Sequence, residues 1–526
     1  MKVTFAVCSL LVGAVFVLGC AHFQRTANVL PRDLPMPVKR LPHQLVTSTQ
    51  EFVDPASEWA QCGIASIGPA LLAVPPRKLF DAPHLPTTRL IRDGGDGAVP
   101  EFDHTKAAAT ARRLFKCALP DDGTIGPIET VKLRHVSFSS GAPDVCPAAA
   151  SDVGAFVATA RRLSDRRVYG PGSSVAIVFN ADGIAVDRVA RAAWRTFAAS
   201  KEYWTTIPAY DARILASASK GLPPGVVLPD EAPELAYYDD GENEPTPVYR
   251  FKLVIPHPGG PKPQHDDVRV RYVSAVDPPA DVESTLVKSP VSAAPKILSN
   301  IATVPQIDFG LYVIEGRTDP HWTSDGDTFS AVLATKFTQA QRYVSEPGLL
   351  VPPQKGYFVD GVDVAIVEGH GVYWNVATYD GVPYNYVALA NGKGYGARLK
   401  HLILRSCSAV PAPVDLSCAD LDRWYSPWMI VFNGMHSVVG FHSLMLTYDG
   451  VGETYADSIV SGKTALLDGW FAAVASASDY VGARPAYGMA SAVIVCGSES
   501  ETVDDVVKKP DAAPGCLSIY WTEVVP

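Results

Sequence analysis

Two apolar runs, "GVDVAIVEGHGVYW" at residues 361–374 and "LKHLILRSCSAV" at residues 399–410, carry the reading of this 526-residue chain. Each strings apolar residues together without polar alternation, the pattern of a strand covered on both faces. Each then ends in a residue able to do chemistry, His370 in the first and Cys407 in the second. Around them "IDFGLYVIEG", "HSVVGF", "ASAVIVC" and "CLSIYW" read as further buried strands. "GDTFSAVLATKFTQAQRYV" and "VGETYADSIVSGKTALLDGWFAAVASA" read as helices. Apolar strands separated by helices predict an α/β domain over residues 305–526, with a mainly parallel sheet and helices on both faces. Residues just past the carboxy ends of parallel strands line the functional crevice of such a sheet, so His370 and Cys407 are expected at one edge.

Residues 45–300 read as a smaller α+β region. "DHTKAAATARRLFKCAL" and "SDVGAFVATARRLSDRR" both predict helices and share the string "ATARRL", which fits a distant duplication or the general likeness of alanine-rich helices. In "SSVAIVFNADGIAVDRVARAAWRTF", Val175 to Phe179 predict a strand and Ala181 to Gly183 a turn. Val186, Val189, Ala193 and Phe197 then fall on one helical face. "ELAYYDDGENEPTPVYRFKLVI" holds two strand-like runs and "DVRVRYVSAVD" a third. The order is similar to that of PepSY-type modules; the plainer reading is a binding or spacer domain. "HPGGPKPQHDD", residues 257–267, reads as a solvated loop, since His257 and His265 lack the spacing of a closed metal site.

The amino terminus has another character. Lys2, the apolar stretch "VTFAVCSLLVGAVFVLG" and a small-residue exit predict an export signal over residues 1–20. Val17 to Cys20 resemble a bacterial lipobox, which would acylate Cys20 and anchor the protein to a membrane; ordinary cleavage near Gly19 to Ala21 is another reading, and a transmembrane anchor a third, for which the apolar stretch is short. Residues 21–44, which include the proline-dense "VLPRDLPMPVKRLP", read as a stiff tether. A composition of 47% hydrophobic and 19% charged residues excludes a largely disordered chain. A net charge of -10, with no Lys/Arg block, speaks against a nucleic-acid partner. No phosphate-binding loop or other cofactor motif is found: "NGKGYG" at 391–396 lacks the Lys-Ser/Thr that a phosphate loop needs, and no metal is expected.

In an oxidising compartment cysteines pair, and after Cys20 there are seven: Cys62, Cys117, Cys146, Cys407, Cys418, Cys496 and Cys516. If Cys407 is the odd thiol, the other six can pair. If Cys407 instead bonds Cys418 across "SAVPAPVDL", then His370 is only a hydrogen-bonded turn residue.

A neighbouring imidazole can take a thiol's proton at neutral pH, and the thiolate attacks carbonyls. Backbone N–H groups of Gly371 and Cys407 are candidate donors to the resulting oxyanion, and His370 could protonate the leaving amine. An apolar strand ending in His-Gly, followed some 35 to 50 residues on by one ending in a small residue and Cys, resembles the caspase-like (clan CD) cysteine peptidases. "EGHG" and "LILRSCS" carry the likeness, and "GMHSVVGFHSLMLTYDGVGETYADSIVSGKTALLDGWFAA" resembles the CHAT branch. Ser406 stands where many members have Ala or Asp. The Gly-His-Gly, Ser-Cys-Ser and Gly-x-His blocks are also similar to an uncharacterised bacterial family of exported proteins.

The resemblance implies a peptidase acting on a protein or peptide substrate. Trp374, Trp424, Tyr425 and Trp428 are candidate pocket residues, with core packing as the competing reading. Asp415, Asp420 and Asp422 could favour a basic side chain, and His436 and His442 with Cys407 form a remote metal option. The alternative from another class is a catalytically silent surface lipoprotein that binds a peptide, glycan or envelope component.

Overall fold

The computed structural model describes residues 37–39, 103–118, 124–139, 150–163, 165–170, 173–180, 185–189, 203–218, 228–229, 231–239, 244–255, 267–276, 307–314, 320–344, 359–377, 383–385, 398–416, 428–429, 431–447, 450–462, 464–509 and 515–525. Residues 1–20, with Cys20, and nearly all of the tether lie outside them. The first half supplies β1 (Pro37–Lys39), α1 (His104–Ala118), β2 (Thr124–Ser139), β3 (Ser151–Leu163), β4 (Arg166–Tyr169), β5 (Ser174–Asn180), β6 (Ala185–Val189), β7 (Tyr203–Thr205), α2 (Ala209–Ala218), β8 (Glu234–Tyr238), β9 (Thr246–Ile255) and β10 (Asp267–Ser274). Next come β11 (Asp308–Val313), α3 (Pro320–Leu333), β12 (Thr338–Val344), β13 (Val364–Glu368), β14 (His370–Val372), β15 (Asn375–Ala377), β16 (Pro383–Asn385) and β17 (His401–Arg405). The chain closes with β18 (Ser437–Phe441), α4 (Val451–Ser461), α5 (Leu466–Ser476), β19 (Ala490–Val495), α6 (Val503–Lys508) and β20 (Cys516–Val524).

One 15-stranded sheet runs through both halves in the order β10-β9-β8-β4-β3-β2-β20-β19-β18-β17-β13-β11-β12, with β5 and β6 attached through β3. The five strands at one end, β12-β11-β13-β17-β18, are parallel. Beyond β18 the direction reverses, and β19, β20, β2 and β3 pair antiparallel. The α/β character is therefore as expected, but the sheet is mixed and mostly antiparallel, which corrects the expectation of a mainly parallel one. A run of apolar residues reports burial on both faces and carries no information on direction. β19 and β20 are as buried as β13 and β17, because β2 continues the sheet beyond them.

Strand alternation sorts the central residues into two cores. Phe309, Leu311, Val364, Ile366, Ile403, Cys407, Val439 and Phe441 pack with Trp322 and Phe329 of α3, Tyr455 of α4 and Trp470 of α5. Tyr312, Ala365, Val367, Leu402, Leu404 and Val438 pack on the opposite face with Trp428, Phe432 and Met435.

Several local expectations change with tertiary context. "ATARRL" is helical at residues 109–114, in α1, where Ala107, Ala111, Leu114 and Phe115 are buried at helical spacing. The same six residues at 158–163 are extended in β3, between β2 and β5, so the predicted second helix is a strand. Val153, Phe156 and Val157 upstream favour the pleated surface, and pairing on both sides overrides the alanine propensity. The two copies therefore differ in structure, which removes the reason to read them as a duplication. Val186 and Val189 sit in β6 and not in a helix, whereas Ala193, Phe197 and the 257–265 loop fall outside the described residues. The helix expected over 326–344 ends at Leu333 and continues as β12. That expected over 451–477 is two helices, parted at Gly462 in the left-handed conformation (φ 69°).

Trp521 of β20 is fully buried between the strands of the two halves. Trp521→Ala is expected to cost about 3–5 kcal/mol. In urea unfolding, near-ultraviolet and far-ultraviolet signals should shift together, since both halves share this strand.

Candidate functional site

The parallel register of β13 with β17 sets Glu368 opposite Arg405. Two residues further along from each come His370 and Cys407, just past the strand ends. Alternation turns both toward the α3 face: the His370 ring lies edge-on to Trp322 with centroids 5.7 Å apart, and Cys407 belongs to the same core. The two ends are in contact. Ser406 Oγ donates to Gly369 O, and Gly369 N–H donates to Arg405 O at 3.4 Å. A β-carbon at Gly371 would fall 2.2 Å from Cys407 O and 2.8 Å from Cys407 N, so only glycine permits the approach.

Both side chains are enclosed, His370 at 1% and Cys407 at 2% exposure. Cys407 is a thiol, so the bond to Cys418 weighed from the sequence is not formed. A disulfide instead joins Cys496 and Cys516, at the end of β19 and the start of β20. Burial pushes the Cys407 thiol up to about 11, against the pull of backbone hydrogen bonds, among them the Met445 N–H that Sγ accepts at 3.3 Å. The protonated thiol is thus the resting form at neutral pH.

Beneath this pair lies a charged cluster that sequence reading missed. Arg405, with no exposed surface, reaches Glu368 at 2.9 Å across the strands and Asp325 of α3 at 2.7 Å. The signal was present as an acid two residues before the His and a base two residues before the Cys, at matching positions of two apolar runs. A side chain two residues back on a strand shares the same face. Deeper still, His401 Nδ1 pairs with Ser437 Oγ and its Nε2 with the Tyr455 hydroxyl, each at 2.7 Å; burial pushes this imidazole down to about 3, so it is neutral.

The other candidates lie elsewhere. Trp374 is half-buried against the opposite core, where Trp428 is fully enclosed. Asp415 accepts from the Ala412 N–H at 2.7 Å and lies 3.3 Å from His442 Nδ1. His442 also bonds Thr522 O, and His436 pairs with Glu501 at 2.8 Å, so neither joins Cys407. Among the described residues no group of His, Cys, Asp and Glu could hold a metal ion. Trp424, Tyr425, Asp420 and Asp422 lie outside the described residues.

Residues 332–507, which include His370 and Cys407, match the family model of a domain of unknown function, DUF6345. No curated protein and no solved structure matches the chain.

Arg405→Met strands two carboxylates in the core and is expected to cost about 3–5 kcal/mol in chemical unfolding. A second outcome follows from the thiol. The unfolded chain releases its proton near the ordinary value of 9.0 and the folded chain only near 11, so this group's contribution to stability is lost as pH rises between the two. Urea unfolding at stepped pH should show a fall across that window that is shallower in Cys407→Ala.

Proposed function

We propose that this protein is a cysteine peptidase of caspase-like type, with Cys407 as nucleophile and His370 as its base. The observation that carries the reading is the meeting of two parallel strand ends, each presenting one of these groups to the same side. In the reaction Cys407 Sγ attacks the scissile carbonyl and its proton passes to His370. Backbone N–H groups of Gly371 and Cys407 are the candidate donors to the oxyanion. His370 then gives the proton to the leaving amine as the C–N bond breaks, and water attacks the thioester to free the acid and the thiol.

Export fits this reading. The disulfide Cys496–Cys516 is compatible with an oxidising compartment, and among the described residues no helix is long and apolar enough to cross a membrane. Anchoring would then depend on acylation of Cys20, with an enclosed, protonated thiol awaiting a protein or peptide substrate.

Enclosure of the thiol favours a second reading, a catalytically silent envelope protein that binds a peptide, glycan or envelope component. Hydrolysis of fluorescently labelled casein separates the two. A drop on the order of a thousandfold or more in both Cys407→Ala and His370→Ala is the expected result. Hydrolysis that survives both substitutions would refute the dyad, and ligand binding unchanged by either would support the silent protein.

A further inference from the structure

Trp322, Asp325, Gly326, Phe329 and Leu333 fall at helical spacing on one face of α3, and that face is seated on the strands that lead to His370 and Cys407. Asp325 meets Arg405 at 2.7 Å. A β-carbon at Gly326 would stand 2.9 Å from Leu311 Cδ1 and 3.0 Å from Glu368 Oε2, so glycine lets the helix lie close on β11 and β13. Phe329 and Leu333 join the core that holds Cys407. One turn before Asp325, the helix carries Trp322 to His370: the ring centroids are 5.7 Å apart and the planes cross at 83°. Trp322 is buried, and among the described residues its indole N–H has no hydrogen-bond partner. Packing alone therefore fixes the indole, where a buried tryptophan would ordinarily be held by its N–H as well.

The base of a nucleophile–base pair needs a fixed ring as well as a fixed backbone. Pairing of β14 with β15 sets His370 opposite Ala377 and holds its main chain. The imidazole keeps two side-chain torsions, and a ring turned away from the sulfur cannot take its proton. In such pairs a third group orients the base. An indole set across the imidazole limits both torsions by the contact of its ring.

We infer that Trp322 is a positioning residue, which orients the His370 imidazole for proton transfer with Cys407 by ring contact from α3. The inference rests on the reading of Cys407 and His370 as nucleophile and base. All of α3 except its last two residues precedes the matched span 332–507, so the working site extends beyond that span on its amino-terminal side.

Trp322→Leu and Trp322→Phe in the full chain test it, with labelled casein as substrate. The leucine variant, which keeps an apolar side chain but no ring, should lower kcat by about tenfold to a hundredfold with KM within about twofold of wild type. The phenylalanine variant keeps a ring and should recover most of that loss. Alkylation of Cys407 by iodoacetamide, read by mass spectrometry, separates lost positioning from a loosened core. Lost positioning slows labelling and adds nothing in the His370→Ala background, whereas a loosened core speeds it. Trp322→Met takes over the test should Trp322→Leu not fold. An unchanged kcat, faster labelling, or a phenylalanine variant as impaired as the leucine one overturns the role of Trp322 and leaves the dyad standing. A wild-type thiol whose labelling does not depend on His370 removes the dyad, and the role of Trp322 with it.

Discussion

The contact between Arg405 and Glu368 governs how this site is built. A guanidinium with no exposed surface, held between two carboxylates, is tolerable in a protein core only while all three partners keep their places. One carboxylate belongs to the neighbouring strand and the other to the helix above, so the same cluster sets the register of β13 against β17 and the seat of α3. His370 and Cys407, each two residues further along, inherit that register. Ser406, whose Oγ donates to Gly369 O, and Gly371, where the Cys407 backbone leaves no room for a side chain, then close the remaining gap.

Much of the carboxy-terminal half was legible because its signal is local. Runs such as "VAIVE" and "LILR" are too apolar and too short for anything but buried strands, and their ends mark where the chain turns out of the sheet. Strand direction was not legible, since β19 is as apolar as β13 yet runs the other way. "ATARRL" shows the same limit: six identical residues form helix in one place and strand in another, because the neighbours that pair with β3 lie on other segments. The pairing of His370 with Cys407 could be anticipated from two strand ends. The contact of Arg405 with Asp325 could not, since α3 lies on a distant segment of the chain.

A cysteine with its thiol pushed up by burial is a poor nucleophile in the resting fold. The same enclosure shields the sulfur from oxidants in the solvent. If Cys407 is the nucleophile proposed above, its reactivity depends on an opening of the shell around the sulfur, to which the Met445 N–H belongs.

β20 is the last described strand and lies in the middle of the sheet, with β2 on one side and β19 on the other; Val131 is paired with Val524. β2 has β3 at its other edge, so strands of the first half can pair among themselves while one edge of β2 stays open until residues 516–524 arrive. An open edge is a template for another chain, and this seam is where association between copies competes with folding.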